Sequence, residues 1–89
     1  MNIDEWKPRL PRGVRLRDDK IRQRWVLLAP ERIFEIDDVG VEILKRCDGR
    51  NMNDLLTDLA KIFEATPQDI KADVVLFLQG FAEKKVVEL

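Results

Sequence analysis

The chain of 89 residues contains no histidine, no tyrosine and a single cysteine, Cys47. Without histidine it lacks the commonest general base and the commonest metal-ligand side chain. One cysteine closes no internal disulfide and builds no thiolate zinc site, and it has no histidine to activate it as a nucleophile. On an apolar helical stripe it reads as a small buried hydrophobe, and its lone presence fits a reducing cytoplasm. The four glycines, Gly13, Gly40, Gly49 and Gly80, are scattered singly, so no phosphate-cradling loop is present. No apolar run is longer than that of Val74 to Leu78, which is far shorter than the roughly 20 residues of a membrane span. Residues 1–11 carry no apolar stretch of the kind that drives secretion. Asp69 and Asp73, one helical turn apart, are the nearest approach to a catalytic carboxylate pair. A helix start favours acidic residues in any case, so the pair needs no catalytic role. No enzyme activity, metal or cofactor is expected, and neither a membrane nor a nucleic acid is an expected partner.

What is present fits one small domain. Apolar residues make up 45% of the chain and charged residues 37%, an ordinary balance for a globular protein. Net charge is −1, but its distribution is uneven. Residues 1–32 hold nine Lys/Arg against five Asp/Glu, a balance of +4; residues 33–89 hold seven against twelve, a balance of −5. A nucleic-acid reader concentrates positive charge on the helix that enters the groove. Here the helical half is the acidic one.

Two periodicities divide the chain. Residues 1–11, with Pro8 and Pro11, show neither and read as an extended arm, leaving 12–89 as the domain. Val14–Arg17 alternates apolar and charged residues, the mark of a half-buried strand, with Asp18-Asp19-Lys20 as turn chemistry. Arg24–Leu28 is a second strand, with Trp25 and Leu27 on one face and Val26 and Leu28 on the other. Pro30 pre-sets a turn over Ala29–Arg32, and Ile33–Ile36 makes a third strand. Asp37 caps a first helix over Asp38–Cys47, with Val39, Ile43, Leu44 and Cys47 facing the core and Gly49 as its C-terminal cap. Gly40 costs that helix roughly 1 kcal/mol against alanine, which points to close packing or to a looser helix. Asn51 opens a second helix over Met52–Glu64, whose apolar face is Met52, Leu55, Leu56, Leu59, Ile62 and Phe63. Thr66-Pro67 opens a third, with Ile70, Val74, Phe77, Leu78 and Phe81 inward. Val86–Leu89 either continues this helix or ends as an extended tail. The expected fold is α+β: a three-stranded antiparallel sheet followed by three helices, the layout of a winged helix-turn-helix.

Two features are not consumed by that core. Ile33, Phe34, Glu35 and Ile36 form a sheet edge with unpaired backbone groups. Val75 and Leu76 fall outside the apolar stripe of the third helix; they either pack under the arm or tail, or line a groove beside the strand. An extended peptide can add to such an edge, main-chain bonds giving affinity and side-chain pockets giving selectivity. Replacing Phe34 with proline would then remove a backbone donor and weaken capture. Two other readings use the same fold: a winged-helix DNA binder, and a dimerisation module in which the edge pairs with its twin.

The residues also resemble one family. Pro8-Arg9-Leu10, Arg24-Trp25-Val26-Leu27-Leu28-Ala29-Pro30-Glu31-Arg32, Cys47-Asp48-Gly49, and Ile70 with Asp73-Val74 and Phe77-Leu78 are similar to the PqqD family of pyrroloquinoline quinone biosynthesis. The resemblance runs from about Pro8 to Leu89, and the tryptophan-containing strand is its specific part. It implies a non-catalytic recognition element that binds the ribosomal precursor peptide PqqA. The peptide is then delivered to a radical S-adenosylmethionine enzyme, PqqE, which cross-links a Glu to a Tyr within it. Carried over to this chain, the resemblance places the peptide on Ile33, Phe34, Glu35 and Ile36, and on the third helix around Asp73, Val75 and Leu76.

Overall fold

In the computed structural model, which describes residues 2–89, three strands run as an antiparallel meander in the order β1-β2-β3: Arg15–Asp19, Arg24–Ala29 and Arg32–Ile36. Three helices follow: α1 (Asp38–Lys45), α2 (Met52–Ile62) and α3 (Pro67–Glu83). The α+β architecture read from the periodicities is the one observed.

The first strand starts and ends later than its alternation indicates. Val14 closes a turn by donating its N–H to the Pro11 carbonyl (3.1 Å). Asp18 and Asp19 belong to the strand, opposite Trp25 and Arg24. The chain reverses at Lys20–Gln23 instead, where the Asp19 carboxylate accepts from the Arg22 N–H (3.2 Å). Strands β2 and β3 are joined by only two residues, Pro30 and Glu31. Proline fixes the first turn position and Glu31 takes a positive φ of 63°, the order of a type II turn. The inward face of the sheet carries Leu16, Trp25, Leu27, Phe34 and Ile36, with Leu27 fully buried under the helices.

Each helix begins on the cap its sequence supplies. Asp37 accepts from the Gly40 N–H (2.7 Å), Asn51 from Asp54 (2.8 Å), and Thr66 from Asp69 (3.3 Å), with the Asp69 carboxylate returning to the Thr66 N–H. Two core faces differ from the expected ones. In α1 the buried residues are Gly40, Val41, Ile43 and Leu44, while Val39 is 52% exposed. The phase is set by Gly40, where a Cβ would stand 2.8 Å from Ile36 Cγ2 and 2.9 Å from Phe77 Cε2. The glycine therefore marks close packing between α1, β3 and α3. In α2 the buried set is Met52, Leu55, Leu56, Leu59 and Ala60; Ile62 and Phe63 lie at a helix end that turns outward and are exposed.

Helix α1 also stops before Cys47. The N–H groups of Arg46 and Cys47 bond three residues back, to Ile43 and Leu44, tightening the last turn. Gly49, at a positive φ of 93°, shapes the α1–α2 connection and gives its N–H to the Pro8 carbonyl (2.9 Å). Cys47 is buried, its Sγ donating to the Ile43 carbonyl (3.4 Å), and burial pushes its thiol up to about 12. It is a packing residue with almost no thiolate at neutral pH.

The N-terminal arm lies against the helices. A 3₁₀ turn, Ile3–Glu5, leads to Trp6, which is 5% exposed and part of the core cluster. The Trp6 carbonyl accepts from the Met52 N–H (3.2 Å). Arg9 exchanges backbone bonds with Glu88 (2.9 and 2.8 Å) and Leu10 donates to the Cys47 carbonyl. Val86 and Val87 are buried in the same region, so the end of the chain is an extended tail seated beside the arm.

Gly40 gives a direct test of this packing. Phe77 packs against Phe81 with the rings tilted, and Ile36 is buried, so neither yields freely to an added methyl group. Gly40→Ala is expected to destabilise the domain by about 1–2 kcal/mol in urea denaturation, overpacking outweighing the gain in helix propensity. A stabilised variant would contradict the close approach.

Candidate functional site

Strand β3 is an edge: it pairs with β2 alone. Which of its backbone groups are free follows from the two-residue turn. The closing pair, Ala29 and Arg32, exchanges hydrogen bonds, and pairs alternate from there. Leu27 with Phe34 and Trp25 with Ile36 are therefore bonded pairs, and their N–H and C=O groups point into the sheet. Ile33 and Glu35, opposite Leu28 and Val26, direct theirs outward. Among the described residues no hydrogen bond fills those outward positions. The free edge thus consists of the N–H and C=O groups of two residues, spaced to match every second residue of an added strand.

The other edge is guarded differently. Strand β1 reads Arg-Leu-Arg-Asp-Asp, and charged side chains along an edge discourage pairing. Strand β3 presents Ile33, Phe34 and Ile36 instead, with Ile33 69% exposed.

Side chains of β3 divide between two faces. Phe34 and Ile36 point towards the helices, Ile33 and Glu35 to the open side of the sheet. The Phe34 ring meets Phe81 edge-on at 5.6 Å, and Phe81 lies 4.8 Å from Phe77, so three aromatic rings join β3 to α3. The Arg32 guanidinium sits 5.6 Å from the Phe34 ring and Lys84 Nζ 6.0 Å from that of Phe81. On the open side, Glu35 pairs with Arg24 (3.1 Å), and Ile33 borders a shallow depression with Val26 and Leu28.

Helical spacing sets what α3 offers to this edge. Asp73, Phe77, Gly80 and Lys84 fall on one row, beside Phe81. Since Phe77 approaches Ile36 and Gly40 while Phe81 meets Phe34, the row runs alongside β3. The structure therefore sets Phe34 and Ile36 of β3 beside Phe81 and Phe77, and Asp73 stands one turn before Phe77 on the same row. Leu76, 67% exposed, stands on the outer shoulder of the same flank. Val75 is placed otherwise: it lies roughly 160° around the helix from Phe77 and packs, half-buried, against the core. That flank also carries Lys71, which reaches Asp4 of the 3₁₀ turn (2.8 Å). Phe77 and Phe81 are not legible as site residues because they belong to the core stripe of the third helix. What marks them is their contact with β3: Phe81 meets Phe34, and Phe77 stands with Ile36 at Gly40.

No cluster of three or more Cys, Asp or Glu side chains able to hold a metal occurs among the described residues. None of their helices is long and apolar enough to cross a membrane. The site is a strand edge beside an aromatic and apolar helix flank.

Comparison with known proteins gives a consistent result. The family model described as Coenzyme PQQ synthesis protein D (PqqD) matches residues 24–87. The chain is 50% identical over 82 residues to the Bifunctional coenzyme PQQ synthesis protein C/D of Methylorubrum extorquens, covering 91% of this chain and 22% of that protein. It is 48% identical over 79 residues to the PqqA binding protein of Rhodopseudomonas palustris strain BisB5, covering 88% of this chain and 78% of the relative. Among solved structures, it superposes on the PqqD truncation of Methylobacterium extorquens PqqCD with a TM-score of 0.78 and 44% identity over the whole of both chains. That solution structure is described as a functional, stand-alone recognition element for ribosomally synthesised, post-translationally modified peptides. The crystal structure of PqqD from Xanthomonas campestris matches with a TM-score of 0.60 and 37% identity, over 90% of each chain.

Proposed function

The chain belongs to the PqqD family, and from that premise we propose that it binds a PqqA peptide as a fourth strand on the free edge of β3. We infer that it thereby presents the peptide to the radical S-adenosylmethionine enzyme PqqE. The observation that carries this reading is the pair of outward-facing residues, Ile33 and Glu35, whose donors and acceptors have no partner among the described residues. Relatives bearing the name PqqA binding protein support the identity of the ligand.

The physical role is one of positioning. A short peptide free in solution samples many conformations; paired to β3 it is held extended, and the partner enzyme meets an oriented substrate. Backbone bonds to Ile33 and Glu35 supply affinity for any extended segment. Selectivity comes from side chains that alternate between the α3 flank, with Asp73, Leu76 and Phe77, and the open face beside Ile33. The protein contributes no chemical step of its own and acts in the cytoplasm. Pairing of two β3 edges across a homodimer would use the same groups, so peptide binding and self-pairing compete.

The test is a titration of isotope-labelled protein with synthetic PqqA. Shifts are expected at the amides of Arg32–Ile36 and along α3 at Asp73, Phe77, Gly80 and Phe81. Shifts confined to β1 or to the arm would overturn the assigned edge.

A further inference from the structure

We propose that Gly80 opens a notch in the flank of α3 that receives one large apolar side chain of the bound peptide, making this glycine a specificity-determining residue. The inference rests on strand addition to β3 and goes on to name the kind of residue the site selects.

The two helical glycines of this chain differ. At Gly40 a side chain is excluded by Ile36 and Phe77. At Gly80 a Cβ would meet no heavy atom within 4 Å. Nothing inside the domain requires a glycine there, although glycine weakens a helix relative to alanine. Gly80 does not end the helix either: α3 continues to Glu83, and the residue in left-handed conformation is Lys85, at φ 62°. What Gly80 provides is space on the surface.

The place of that space matters. Gly80 lies on the row that flanks β3, next to Phe81, whose ring meets Phe34. One turn earlier stand Phe77 and the exposed Leu76, and Lys84 follows one turn later. The space above Gly80 is thus floored by helix backbone and flanked by Leu76 and Phe77 on the turn before and by Glu83 and Lys84 on the turn after. In a strand added to β3, residues opposite Ile33 and Glu35 turn to the open face, and the residue between them, opposite Phe34, turns towards α3. That side chain meets the notch. The apolar side of this space, formed by Leu76 and Phe77, favours leucine, isoleucine, methionine or phenylalanine over a charged or small residue.

The experiment is a double-mutant cycle by calorimetry, with synthetic PqqA and a set of its single apolar-to-alanine variants against wild type, Gly80→Ala and Gly80→Leu. Both protein variants are expected to fold, with Gly80→Ala melting a few degrees higher than wild type. Gly80→Leu should bind PqqA about ten- to a hundredfold more weakly, as the buried side chain is displaced. One peptide position should show a comparable loss with wild type and almost none with Gly80→Leu. Equal affinity of Gly80→Leu and wild type, or additive losses at every peptide position, would overturn the notch while leaving strand addition intact. Failure of wild type to bind PqqA would overturn both.

Discussion

Glu35→Pro is expected to weaken capture of PqqA by about ten- to a hundredfold while the domain stays folded. Proline removes the outward N–H of Glu35 and sets a ring where the incoming strand must approach. The partner carbonyl of the peptide is then left without its donor, which costs about 1–3 kcal/mol when the site is otherwise dry. The fold tolerates the change because the Glu35 N–H bonds nothing in β2, and edge strands accept proline on their open side. Glu35→Ala separates the two contributions: it removes only an exposed ion pair with Arg24 and should bind nearly as wild type. Phe34→Pro, the substitution that the bare sequence recommends, tests something else. The Phe34 N–H faces Leu27 across the β2–β3 ladder, so proline there breaks the sheet before it touches the peptide. If Glu35→Pro binds PqqA with wild-type affinity and an intact fold, main-chain pairing on this edge is excluded.

The second large effect concerns stability. Trp6→Ala is expected to cost about 3–5 kcal/mol, the range for truncating a buried tryptophan. Trp6 is 5% exposed, and its carbonyl holds the Met52 N–H at the start of α2. A domain of this length has roughly 4–13 kcal/mol in total, so the loss is a large share and should lower the melting temperature by about 12–40 °C. Were residues 2–10 a solvated tail, the same substitution would change stability by no more than about 0.5 kcal/mol. Thermal denaturation followed by circular dichroism decides between them.

Much of this molecule is legible in its sequence where local signals dominate. Alternation in β2, the two-residue turn at Pro30-Glu31, and the caps Asp37, Asn51 and Thr66 all act within a few residues. The misreadings arise where distant contacts decide. Val39 looks as inward as Ile43, but the approach of Ile36 and Phe77 to Gly40 rotates α1 and exposes it. The arm has no period because Trp6, Pro8 and Leu10 each find a separate partner in a chain segment far along the sequence. At the site, the edge strand could be named from pattern alone. Which of its donors are free could not be, since that depends on the register that the turn fixes. Gly80 has no local signature at all; only the emptiness around it in the folded chain distinguishes it from Gly40.

Amide hydrogen exchange across β3, with and without saturating PqqA, tests the central claim most directly. In the free protein the amides of Ile33 and Glu35 should exchange fast and that of Phe34 slowly; with peptide bound, the first two should become protected and Phe34 should change little. Ile33 and Glu35 already slow in the free monomer, or still fast with the peptide bound, would contradict it.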